Sequence, residues 1–105
     1  MSGIFIYITA PSEAEAGKIA SAVVKERLAA CANIIPGMKS VYHWECKVEE
    51  GNETVLILKT RAELFPAVEA RVKALHSHDT PCIAALPLAA GHQAYLDWIF
   101  SETSP

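Results

Sequence analysis

The sequence predicts an α+β sandwich, with two helices on one face of an antiparallel sheet. Three observations predict it. Gly3–Thr9 and Thr54–Thr60 are apolar on both faces and rich in β-branched residues, the mark of central strands. Residues 13–30 and 62–75 repeat their apolar positions at about 3.6-residue spacing, the mark of helices with one buried stripe. The segments follow one another as β-α-β-β-α-β with a further helix at the end, which is the ferredoxin-like order.

Each element follows from its residues. Pro11-Ser12 ends the first strand, and Ser12 with Glu15 reads as a capping box that satisfies free N–H groups of a starting helix. That helix is expected to run to about Ala30 and to bury Ala16, Ile19, Ala20, Val23 and Leu28. Ala32–Ile35 is strand-like, and Pro36-Gly37 breaks it. From Ser40 to Val48, Tyr42, Trp44, Cys46 and Val48 alternate with His43, Glu45 and Lys47, so this stretch reads as one strand with an apolar and a polar face. Glu50-Gly51-Asn52 supplies the turn of a long hairpin, with arms of roughly 7–9 residues, and Thr54–Thr60 returns. In the second helix Phe65, Val68, Val72 and Leu75 share a stripe, and Pro66 falls in the first turn, where its missing N–H costs little. Cys82–Leu86 is expected as a fourth core strand ended by Pro87. His92 to about Ser101 is a short helix, and Ser101–Pro105 a frayed tail.

Composition bounds the function. The 105 residues are one domain, 1–105, with 51% hydrophobic and 20% charged residues, which excludes a disordered chain. A net charge of −3 and a pI near 5.7 leave no basic footprint for nucleic acid. No apolar run approaches the ~18–20 residues of a membrane helix. The N-terminus lacks the basic stretch of an export signal, so the expected compartment is the cytoplasm. Three cysteines, Cys31, Cys46 and Cys82, form no C-x-x-C pair, which argues against a disulfide framework or a Cys-rich zinc site. The open sheet face and the long apolar hairpin need cover from elsewhere, and the physical inference is a homo-oligomer.

No nucleophile–base motif, phosphate loop or H-E-x-x-H is present, so the chain is expected not to be an enzyme. Two groups remain. His76, His78 and Cys82 cluster in one loop; imidazole and thiolate suit copper or zinc, and Asp79 could add an oxygen or cap a turn. The competing reading makes the histidines ordinary loop residues and packs Cys82 at a strand start. Trp44, Lys59 and Tyr95, with Tyr42 and Trp98, could line a pocket for a small anionic ligand between subunits, or could simply pack core and interface.

Four stretches resemble the CutA family of divalent-cation tolerance proteins. Glu26-Arg27-Leu28-Ala29-Ala30-Cys31-Ala32-Asn33-Ile34-Ile35-Pro36-Gly37 resembles that family's E-[KR]-L-A-A-C-x-N-I-x-P-G. Ser40–Trp44, Leu58-Lys59-Thr60 and Tyr95–Ile99 resemble its S-x-Y-x-W, L-K-T and Y-L-x-W-[IL]. The resemblance implies a homotrimer whose long hairpins pair across subunits, a role in tolerance of copper and other divalent metals, and no established reaction. It also implies copper ligands at positions that are Ile8, Leu75 and His76 here, of which only His76 keeps a ligand type. The family's H-P-Y-x-x-P-E reads His76-Ser77-His78-Asp79-Thr80-Pro81-Cys82 in this chain, so His78 and Cys82 bring new ligand types to the loop.

Overall fold

A computed structural model describes residues Ser2–Thr103. The chain runs β1 (Gly3–Ala10), α1 (Glu13–Lys25), β2 (Cys31–Trp44), β3 (Lys47–Arg61), a 3-10 turn (Ala62–Leu64), α2 (Phe65–Leu75), β4 (Ile83–Pro87) and α3 (Gln93–Glu102). The four strands form one antiparallel sheet in the order β2-β3-β1-β4. This is the expected ferredoxin-like sandwich.

The strand period of two divides the sheet into faces. Ile4, Ile6 and Ile8 on β1 stand opposite Thr60, Leu58 and Leu56 on β3. Ala16, Ile19, Ala20 and Val23 of α1 and Val68 and Val72 of α2 close over that face, and all these residues but Thr60 join one core. Each fully buried Ile or Leu there stabilises the fold by about 1.5–3 kcal/mol. The second face carries Phe5, Tyr7, Ile57 and Lys59 in register. There α3 lies near β1 and β3, with Ile99 fully buried.

Several boundaries differ from expectation, each for a local reason. Helix α1 stops at Lys25 rather than Ala30 because Arg27 takes φ 61°. The Arg27 N–H then donates to Val24 O and the Leu28 N–H to Val23 O, which is a Schellman ending. Pro36-Gly37 does not break β2. Gly37, at φ 80°, lies in a bulge between Ile35 and Met38, and the strand runs on to Trp44, 14 residues in all. The hairpin turn falls at Glu45-Cys46, not at Glu50–Asn52. Both residues hold positive φ (50° and 64°), as a two-residue hairpin with the right-handed strand twist requires. Gly51 is therefore a strand residue opposite Ser40, where a Cβ would come within ordinary contact of the Tyr42 ring. The arms span 14 and 15 residues, twice the expected length, and the molecule's long axis is 44 Å.

Strand β4 is an edge strand, not a core one: Ala84 to Pro87 are exposed, and Cys82 precedes the strand in solvent. The expected frayed tail is helical through Glu102. Thr103 is buried, donating to Ile99 O and accepting from Arg61 Nε, while Ser104 and Pro105 lie outside the described residues.

Candidate functional site

The loop joining α2 to β4 is fastened to the end of β1 and the start of α1. The His76 side chain is fully buried. Its Nε2 lies 2.8 Å from Thr9 O, and its Nδ1 is 3.0 Å from the His78 backbone N. A carbonyl only accepts and an N–H only donates, so Nε2 donates to Thr9 O and Nδ1 accepts from the His78 N–H. Ser77 donates both its N–H and its hydroxyl to Glu15 Oε2, each at 3.0 Å, and that oxygen stands 3.5 Å from His76 Nδ1. Burial pushes the Glu15 carboxyl up, but the two Ser77 hydrogen bonds and the nearby His76 and His78 outweigh it, leaving the carboxyl below its ordinary value. This corrects the expected capping box. Ser12 does accept from the Glu15 N–H at 3.1 Å, but the Glu15 carboxylate is turned to Ser77.

The two other metal-ligand candidates stand in solvent. His78 is exposed, with its ring 4.9 Å from that of His76, and Cys82 is exposed before β4. Among the described residues, no three His, Cys, Asp or Glu side chains gather into a group that could hold a metal ion. One chain thus presents ligand types without a closed coordination set. His76 could coordinate only after giving up one of its two hydrogen bonds.

The aromatic candidates separate. The Lys59 Nζ sits 5.4 Å from the Phe5 ring centroid and 5.5 Å from that of Tyr95, a cation held against two ring faces. Trp44 pairs with Lys47, twelve positions along β3 from Lys59. At ~3.3 Å per residue that is about 40 Å of strand, so one chain cannot bring them together. Trp44 instead joins Tyr42, Gly51, Asn52 and Glu53 as one wall of a cleft of about 680 Å³, with Pro11 and Ser77–Thr80 opposite. His78 and Trp44, from two separate sequence groups, therefore meet at one concavity.

Sequence reasoning missed Glu15, Phe5 and Glu53. Glu15 lies 62 positions from Ser77 and looks like an ordinary first-turn carboxylate. The one available signal is Ser77 itself, whose N–H needs an acceptor where a proline would need none.

Comparison with known proteins agrees with this architecture. The family model for the CutA1 divalent ion tolerance protein matches residues 4–102. The chain is 50% identical over 98 residues to the "Divalent-cation tolerance protein CutA" of Thermus thermophilus, covering 93% of this chain and 95% of that one. It is 43% identical over 100 residues to the chloroplastic protein CutA of Arabidopsis thaliana, covering 95% of this chain and 55% of that longer one. The solved structure of the "Periplasmic divalent cation tolerance protein CutA" from Archaeoglobus fulgidus superimposes with a TM-score of 0.94 at 48% identity, over 97% of this chain and 99% of that one. A match of this extent in both sequence and fold shows that the chain belongs to the CutA1 divalent ion tolerance family.

Proposed function

We propose that this protein is a homotrimer of divalent-metal tolerance that binds copper or zinc as a sensor or buffer in the cytoplasm and catalyses no reaction. The observation that carries the reading is the family match over residues 4–102. The trimer is supported by the hairpin, where Val41 and Val48 are each 65% exposed with no element of their own chain to cover them. Three free cysteines, two of them exposed, fit a reducing compartment. His78 and Cys82 are the accessible ligands, and His76 joins them by releasing the His78 N–H. A stable site takes three or four ligands, so loops of more than one subunit must contribute. Titration calorimetry with copper(II) and with zinc(II) tests this. Saturable binding that disappears when His76, His78 and Cys82 are all changed to alanine is expected. Absence of binding, or equal binding by the triple variant, removes the reading.

A second reading is a small-molecule signalling module whose ligand lies between subunits at Trp44, Lys59 and Tyr95. It is favoured by the Lys59 ammonium, already poised over Tyr95, but it needs Trp44 from a neighbouring chain. A metabolite that raises the melting temperature of the native protein but not of Lys59→Ala would support it.

A further inference from the structure

The cleft between the hairpin and the α2–β4 loop is too large for a metal ion. An ion with six waters, at about 30 Å³ per water, fills roughly a quarter of its volume of about 680 Å³. That volume lies in the range for small organic ligands.

The lining states which ligands it can take. Tyr42 and Trp44 are two apart on one strand, so both rings stand on the same face of the hairpin. Gly51 adds no side chain of its own to that wall, where a Cβ would reach the Tyr42 ring. Glu53 and Asp79 bring two carboxylates, Asn52, Ser77 and Thr80 neutral polar groups, and no lysine or arginine lines the cleft among the described residues. A phosphate or carboxylate ligand would meet two like charges, against which the His78 ring is the single lining group able to carry positive charge. A cation would meet opposite charge and the electron-rich faces of two rings, the combination that recognises alkylated ammonium groups. The wall carrying His78 and Asp79 is held before any ligand arrives, because Ser77 and His76 tie the loop to Glu15 and Thr9. Such a site loses little freedom on binding.

We propose that this cleft binds an organic cation, a quaternary or protonated amine, with Trp44 and Tyr42 against its alkyl groups and Glu53 and Asp79 balancing its charge. The site does not rest on the metal reading and uses neither His76 nor Cys82.

The test compares three probes that share one ring and differ in charge: benzyltrimethylammonium, benzyl alcohol and benzoate. Each is titrated by calorimetry into the native protein with EDTA present. Saturable binding of the ammonium probe is expected, weaker by tenfold or more for the alcohol and absent for benzoate. The Glu53→Gln/Asp79→Asn double variant changes only charge and should weaken the ammonium probe by tenfold or more. Trp44→Ala should do the same. No saturable binding of the ammonium probe, equal binding of the alcohol, or undiminished binding by the charge-neutralised variant would each overturn the proposal.

Discussion

Strand β3 passes through two environments, and the contrast between them explains the molecule. From Thr54 to Thr60 its even-numbered residues lie under α1 and α2, with Leu56 and Leu58 fully buried. From Lys47 to Glu50, every residue of the same strand is exposed. Both halves are paired β-structure of the same sheet, so hydrogen bonding does not distinguish them. What differs is cover: the inner half lies within reach of two helices, and the outer half extends beyond them. Apolar residues in the inner half hold the chain folded, whereas Val41, Trp44 and Val48 in the outer hairpin contribute nothing to this chain's own core.

The largest effect that can break this comparison is a cavity. Leu56→Ala should destabilise the chain by about 2–5 kcal/mol in urea unfolding, because it removes transfer energy and leaves a void among packed side chains. Val48→Ala, eight positions away, should change the stability of the dissociated chain by no more than about 0.5 kcal/mol. Similar losses at the two sites, measured at a concentration where the protein is monomeric, would show that the outer hairpin belongs to the core after all.

A second test addresses what the outer half is for. Val41 and Val48 point to one face of the hairpin, and Tyr42 and Trp44 to the other. Val41→Asp with Val48→Asp should reduce the sedimenting species from a trimer to a single chain and leave the far-ultraviolet circular dichroism unchanged. An intact trimer carrying both substitutions would place the subunit contact elsewhere.

The same contrast governs how much of the molecule could be read from its residues. The body was legible, because the two runs read as apolar on both faces, Gly3–Thr9 and Thr54–Thr60, form the two central strands and bury Ile4, Ile6, Ile8, Leu56 and Leu58. The hairpin turn was not. Glu45-Cys46 lacks the Asn or Gly that advertises two positive φ angles, whereas Glu50-Gly51-Asn52 has turn composition but sits in mid-strand. The run Tyr42, Trp44, Cys46, Val48 keeps a period of two across the true turn by coincidence, since Val48 lies on the opposite face from Trp44. The candidate site was half legible. The loop with His76 and His78 was found, but its attachment to Glu15 and its approach to Trp44 depend on long-range packing that no local pattern encodes.

The loop attachment gives a smaller, pH-dependent effect. Glu15→Gln keeps the size of the side chain but removes the charge that accepts two hydrogen bonds from Ser77. The amide oxygen can still accept from Ser77, so the expected loss is the difference between a charged and a neutral acceptor, about 1 kcal/mol. The sign of the pH dependence follows from the depressed carboxyl of Glu15. Its contribution is complete above the ordinary value of 4.5 and is lost as pH falls through the lower folded value. Urea midpoints measured from pH 6 downward should therefore fall more steeply for the native chain than for Glu15→Gln. Parallel curves would mean that Ser77 and the histidines do not hold the carboxylate.

The smallest effect concerns the end of α1, where two terms nearly cancel. Arg27 holds φ 61°, a conformation that costs a non-glycine residue about 1–2 kcal/mol. Glycine would remove that strain, but it adds about 0.4–1 kcal/mol of freedom to the unfolded chain. It would also break the Arg27–Glu102 ion pair, 2.8 Å long but more than half exposed on the arginine side, worth about 0–1 kcal/mol. Arg27→Gly should therefore change stability by no more than about 1.5 kcal/mol in either direction. The same substitution in a Glu102→Ala background, where no ion pair remains to lose, should give the larger gain. If it destabilises the protein there too, the Schellman ending is not strained, and Arg27 is held at positive φ by something other than the pair with Glu102.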